Sequence, residues 1–138
     1  MKESFNSLAD NEVAEGGKIM VLGRAINAVR ESAGLIWFEF SEICGGPRSQ
    51  NDFIEISKIY QTVFVSAVPV LSELYDSATR RFISLVDEFY DRGVKLILEA
   101  EVEVASLYKG SQLEFEFRRT ASRLLEMQSL EYLSREHH

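Results

Sequence analysis

Five arginines carry the most distinctive chemistry in this chain. Arg80-Arg81 and the set Arg118, Arg119 and Arg123 stand out because 22 acids outnumber 15 lysines and arginines, for a net charge of −7. Ten of those 15 cations are arginine. The guanidinium fork suits phosphate and carboxylate equally well. The clusters therefore point to local anion or carboxylate partners, either structural carboxylates of the chain itself or a functional anion or acidic partner. Both clusters are expected near the start of a helix, where the macrodipole disfavours cations and attracts anions. Glu73 and Asp76 are the nearby carboxylates that could compensate Arg80 and Arg81, and Arg123 and Glu126 have the spacing of a helical pair.

Other chemistries are excluded or reduced. The two histidines are His137 and His138 at the extreme end, either native or the remnant of a tag. The body of the chain thus offers no Ser-His-Asp or Cys-His arrangement and no usual zinc site, and no metal ligand set is assigned. Cys44 is the single cysteine, so no internal disulfide can form, which fits a reducing compartment. A small buried thiol is the expected role, since a nucleophile would need another activator. Neither G-x-x-x-x-G-K-[ST] nor G-x-G-x-x-G occurs, so the chain carries no recognisable phosphate cradle. Phe82 to Glu88 (F-I-S-L-V-D-E) imitates a Walker B strand, but its apolar positions have helical period, which leaves Asp87 and Glu88 facing solvent. Asp87, Glu88 and Asp91 share a helix side that could meet a hard cation, with ordinary solvated acids the plainer expectation. Trp37, Phe38 and Phe40 fit a core strand better than a partner surface.

These residues need elements to position them. With 138 residues, 46% apolar and 27% charged, the chain has the size and composition of one globular domain. The acidic balance gives no footprint for nucleic acid, no apolar run approaches a membrane span, and no signal peptide opens the chain. Residues 1–17 look like a tail and linker, with one helical turn at Phe5 and Leu8 and a Gly16-Gly17 pair. Lys18 to Val29 predicts one strand and Leu35 to Phe40 a second, paired as a β-hairpin. Ser41 caps a short turn before the Gly45-Gly46-Pro47 breaker. A helix follows to about Tyr60, with Asn51 or Asp52 as N-cap and Asp52 and Glu55 at capping-box spacing. Thr62 to Val68 predicts a strand buried on both faces. A helix from Asp76 or Ser77 ends at Gly93, and Val94 to Leu98 is the next strand. Strand, helix and strand make a parallel βαβ unit, expected to be right-handed. Leu113 to Phe117 alternates as an edge strand would, and Thr120 to about Leu133 closes the chain as a helix. The fold class is α/β: a mixed sheet with an N-terminal hairpin, a parallel βαβ unit and a C-terminal helix.

Five segments together look like one family. They are W-F-E-F-S-E-I-C-G-G-P-R (Trp37 to Arg48), T-V-F-V-S-A-V-P-V-L (Thr62 to Leu71), R-R-F-I-S-L-V-D-E-F-Y-D-R-G-V-K-L-I-L (Arg80 to Leu98), L-Y-K-G (Leu107 to Gly110) and F-R-R-T-A-S-R-L-L-E-M-Q-S-L-E-Y-L (Phe117 to Leu133). Over about Gly23 to Leu133 the chain resembles the C-terminal region of the ZapE-type cell-division ATPases, bacterial relatives of the mitochondrial AFG-like ATPases. The resemblance implies a parent that hydrolyses ATP with Mg²⁺, at the bacterial division ring or in mitochondrial protein quality control. The family's P-loop, Mg²⁺-binding acids and sensor segment lie upstream of this region and have no counterpart here.

On this reading residues 1–17 are a linker or the end of a preceding ATPase core, 18–134 a C-terminal α/β domain, and 135–138 a tail. The domain is noncatalytic alone, holds no cofactor itself, and serves assembly, partner binding or nucleotide sensing. Arg80, Arg81, Arg118, Arg119 and Arg123 are candidates by residue type alone, and no family catalytic residue maps onto this chain. Implied partners are the upstream core and division-ring proteins, with no nucleic acid. The implied location is cytoplasmic, with a peripheral place at the inner membrane of the division site as a variant. A self-sufficient small α/β enzyme acting on a phosphorylated ligand is the alternative.

Overall fold

Residues 1–9 and 12–128 are described in the computed structural model. In chain order they form helix α1 (Lys2–Leu8), strands β1 (Ala14–Val21), β2 (Arg24–Ser32) and β3 (Leu35–Glu39), helices α2 (Phe40–Ile43) and α3 (Gln50–Ile59), strand β4 (Thr62–Val68), helix α4 (Asp76–Asp91), strand β5 (Lys95–Ala100) and helix α5 (Glu114–Glu126). Single 3₁₀ turns occupy Glu73–Tyr75 and Val104–Ser106. The strands form one sheet in the order β1-β2-β3-β4-β5. The first two pairings are antiparallel and the last two parallel. This is the expected mixed α/β sheet, with β4, α4 and β5 as its βαβ unit.

β4 explains most of the arrangement. Every residue in it except Ala67 is buried, so both of its faces need cover. Val63, Val65 and Val68 join the main core with Ile36, Phe38, Phe53, Phe82 and Phe89, beneath the helices. Phe64 points the other way, into a second cluster with Phe5 and Leu35. Phe5 of α1 is fully buried and meets Phe64 edge-on, with ring centroids 5.1 Å apart. Within the stretch expected to be a tail and linker, two parts are thus packed or paired. Phe5 roofs the second face of the sheet, and Ala14 to Gly17 belong to β1, where Glu15 pairs with Arg30 at 2.7 Å.

The hairpin is also more elaborate than expected. Lys18 to Val29 does not form one strand. Leu22 and Gly23, both at positive φ (51° and 80°), turn the chain between β1 and β2. A two-residue loop with two positive φ values matches the twist of the strands that it joins. β2 then pairs with β3 as expected, with Arg30 opposite Trp37.

At the other end, Leu113 to Phe117 is not an edge strand. Leu113, Phe117, Thr120 and Leu124 are buried with helical spacing, and Phe115 is left 77% exposed. The apolar–acidic alternation was compatible with either period, and packing on the core selected the helix. α5 therefore starts earlier than the expected Thr120. Residues 129–138, including the expected helix end at Leu133, lie outside the described residues. Gly93 sits at φ 71° just after α4, as its stop position requires.

Phe5→Ala tests the place of the N-terminal helix. Removing a fully buried phenylalanine should lower unfolding free energy by about 3–5 kcal/mol, read from urea denaturation. A change below about 0.5 kcal/mol would show that this segment is not part of the fold.

Candidate interaction site

The arginines are placed by two helices. α4 buries Ala78, Thr79, Phe82, Leu85, Val86 and Phe89 as one stripe. It begins at Asp76, so Arg80 and Arg81 fall in its second turn rather than its first. The dipole penalty is correspondingly small there, because the effect fades within a turn. Arg81 turns toward the loop after α2 and donates Nη1 to the Cys44 carbonyl at 3.1 Å. Arg80 is exposed and has no hydrogen bond or ion pair among the described residues. The expected internal partners are engaged elsewhere. Glu73 accepts from Ser111 Oγ at 2.9 Å, and Asp76 lies 3.5 Å from the Tyr108 hydroxyl.

The second cluster lies along α5, not at its start. Arg118 pairs with Glu114 at 3.0 Å on the exposed surface. Arg123 pairs with Asp87 of α4 rather than with Glu126, and its guanidinium lies 5.2 Å above the Tyr90 ring. Glu126 instead accepts a hydrogen bond from the Tyr90 hydroxyl. Arg119 is exposed and, like Arg80, has no partner among the described residues.

Packing brings the two clusters together. The pairs Phe82–Phe117, Asp87–Arg123 and Tyr90–Glu126 keep nearly constant offset, so α4 and α5 run side by side in the same direction. On that register Arg80 lies abreast of Phe115, and Arg119 abreast of Ser84. By that offset the two arginines without a described partner stand within about one turn of each other along the α4–α5 pair, and Phe115 at the same level is exposed. Farther along the seam the charges are consumed by pairs.

A second polar node lies at the Gly45–Asp52 loop, and residue types alone did not single it out. Arg24 of β2 places Nη2 between the two Asp52 carboxylate oxygens, at 3.0 and 2.8 Å, and donates Nη1 to the Pro47 carbonyl; the Asp52 side chain is 1% exposed. Asp52 also accepts from the Ser49 backbone N–H at 2.7 Å. The capping box of α3 is therefore Ser49 with Asp52, three residues earlier than the expected Asp52 with Glu55. The S-x-x-D spacing was the signal that could have found it. Glu42 accepts from the Asn27 backbone at 2.9 Å and lies 3.5 Å from Arg48. With Arg81 on the Cys44 carbonyl, Arg24 from β2, Arg81 from α4 and the loop's own Arg48 hold this loop. Gly45 is obligatory, because a Cβ there would lie 2.3 Å from the Ser41 carbonyl oxygen.

Cys44 is fully buried, and burial pushes its thiol well above the ordinary value despite the nearby Arg81 charge. That is an inert structural thiol. Phe38 and Phe40 are core residues, and half-buried Trp37 donates Nε1 to Ser66 Oγ at 2.7 Å. The Walker B lookalike is helical, inside α4. Asp87 faces Arg123, and Glu88 takes Gln50 at 2.6 Å and Arg92 at 3.5 Å. Among the described residues no three metal-ligating side chains are gathered.

The family model of the AFG1-like ATPases matches residues 1–136. The chain belongs to the AFG1-like ATPase family. It is 53% identical to the cell division protein ZapE of Escherichia coli K12, over 71% of this chain and 26% of that protein. An uncharacterized protein of Schizosaccharomyces pombe is 34% identical over 72% of the chain and 22% of its own length. The lactation elevated protein 1 homolog B of Danio rerio is 27% identical over 93% of the chain and 32% of its own length. The chain thus spans between about a fifth and a third of these relatives. No solved structure matches it. Among the described residues no helix is long and apolar enough to cross a membrane.

The family is named for ATPase activity, which calls for a phosphate cradle and Mg²⁺-binding acids. The described residues do not fit these roles. The Gly45-Gly46 turn is closed against Ser41, and the arginines around it are directed to Asp52, Glu42 and the Cys44 carbonyl. Of the five candidate arginines, Arg80 and Arg119 are the two left free among the described residues to meet an anion from outside.

Arg24→Ala measures the loop node. It strands the Asp52 carboxylate in a buried setting. The cost should be about 2 kcal/mol, below the 3–5 of a fully enclosed pair because Arg24 is part-exposed. Urea denaturation of Arg24→Ala, Asp52→Asn and the double variant should show strong coupling. Additive losses would refute the pairing.

Proposed function

We propose that this chain is a noncatalytic α/β domain of an AFG1-like ATPase. Its α4–α5 seam presents Arg80 and Arg119 to an anionic site outside the domain. That site is a nucleotide held by the parent's ATPase core or the carboxylates of a neighbouring domain. The observation that carries this reading is the contrast among the arginines. Arg81, Arg118 and Arg123 have partners in the domain, whereas Arg80 and Arg119 are exposed without one among the described residues. Keeping these two arginines and a phenylalanine exposed brings the isolated fold no evident stability, and arginine with aromatic residues is the composition enriched at interfaces.

The likeness to ZapE supports a place in bacterial cell division, with division-ring proteins as partners and a cytoplasmic location peripheral to the inner membrane. Those assignments belong to the proposal. The rival reading, a self-sufficient enzyme, gains no support from the seam. Asp87, the carboxylate nearest Arg123, is already paired, and no histidine lies among the described residues to act as a base.

ATP turnover provides the test. The 138-residue chain alone should show no Mg²⁺-dependent hydrolysis above blank. In a full-length ATPase carrying this domain, Arg80→Ala or Arg119→Ala should lower turnover about tenfold, equivalent to about 1.4 kcal/mol of transition-state stabilisation. Arg118→Ala should leave turnover unchanged. Normal turnover in both the Arg80 and Arg119 variants would remove the nucleotide-linked reading.

A further inference from the structure

We propose that the free edge of β5 docks an extended basic segment of a partner protein, which adds to the sheet as a sixth strand. This inference is independent of the arginine seam.

β5 is the last strand of the sheet, paired on one side with β4. Lys95 donates its N–H to the Gln61 carbonyl at 2.9 Å, and Glu101 donates to the Val68 carbonyl at 3.1 Å. In a parallel ladder, alternate residues aim their backbone groups at the same neighbour. Lys95, Ile97 and Glu99 therefore face β4, whereas Leu96, Leu98 and Ala100 turn their N–H and C=O groups to the open side. A row of such groups is a template for another strand. Of the common edge protections, β5 has one exposed glutamate, Glu99, and a register shift in its ladder with β4 near Val65 to Val68. β5 contains no proline, and its single lysine stands at its first position.

The side chains specify what would pair there. On the helix face, Leu96, Leu98, Ala100, Val102 and Leu124 line a groove of about 680 Å³. On the opposite face a smaller hollow of about 360 Å³ is bordered by Ile97, Glu99, Met1 and Ser4. A strand laid along the edge would send alternate side chains into these two spaces, as strand geometry requires. Glu99, Glu101 and Glu103 are all exposed along this border. Lys95 is the one cation on β5, and it has an interaction of its own. Like charges placed opposite one another are destabilising, so the three glutamates disfavour a second copy pairing edge to edge. They favour lysine or arginine. The occupant is thus a segment alternating apolar and basic residues.

Residue-resolved amide exchange on the 138-residue chain tests this, with the blocked peptide Lys-Val-Arg-Val-Lys-Val-Arg as probe. At saturation, exchange at Leu96, Leu98 and Ala100 should slow at least tenfold, and Ile97 and Glu99, already bonded to β4, should not change. N-methylating the peptide on its bonding register should weaken binding at least tenfold, and methylating the other register should not. The double variant Glu99→Lys/Glu101→Lys should also lose at least tenfold in affinity. The proposal fails if the peptide does not bind, if it binds without protecting those three amides, or if both methylated peptides bind equally. It also fails if the three amides are already protected in the free chain. Concentration-independent protection would mean that residues 129–138 cover the edge; concentration-dependent protection would mean that a second copy does.

Discussion

A strand with no solvent face imposes the plan of this domain. β4 is apolar along nearly its whole length, and its side chains alternate between two sides that must both be dry. Val63 and Val65 require the helical layer, which α3 and α4 supply. Phe64 requires a second roof, which α1 supplies through Phe5. Each such side chain contributes about 1.5–3 kcal/mol by burial. Parallel neighbours follow from the same constraint, because β3 and β5 can flank β4 only through crossovers that carry those helices.

The helical layer then decides which charges are free. α4 and α5 lie side by side because Phe82 and Phe117 share the core. That register brings Asp87 to Arg123 and Tyr90 to Glu126. It leaves Arg80 and Arg119 exposed, with no carboxylate paired to them among the described residues. The loop node works in the opposite sense. Arg24, Arg48 and Arg81 are directed at carboxylates and carbonyls of the chain itself, and Asp52 links the hairpin to the cap of α3. Two groups of one residue type thus do different work, and their surroundings separate them.

Much of the fold was legible because its signals are periodic. The β-branched run Thr62 to Val68 and the stripe Phe82, Leu85, Val86 and Phe89 have unambiguous spacing, and both elements lie where they were expected. The errors fell where local pattern and tertiary context compete. Leu113 to Phe117 satisfies strand alternation and helical period together, and the core contact of Phe117 with Leu124 settles it. Phe5 in a polar, glycine-flanked stretch gives no local sign of burial; its role arises from Phe64, about sixty residues away. At the candidate site, residue type singled out five arginines but not the partners that three of them have. The Arg123–Asp87 pair depends on helix packing that no short spacing encodes.

Among the described residues the five arginines divide into three with partners and two without. Equilibrium unfolding of five single alanine variants, at Arg80, Arg81, Arg118, Arg119 and Arg123, measures that division in the chain itself. Arg123→Ala should cost about 1 kcal/mol through its ion pair and ring contact, and Arg81→Ala a similar amount through its carbonyl bond. Arg80→Ala and Arg119→Ala should stay within about 0.5 kcal/mol of the unsubstituted chain. If either of those two destabilises the fold more than Arg123→Ala does, the free arginines are structural and the account is wrong.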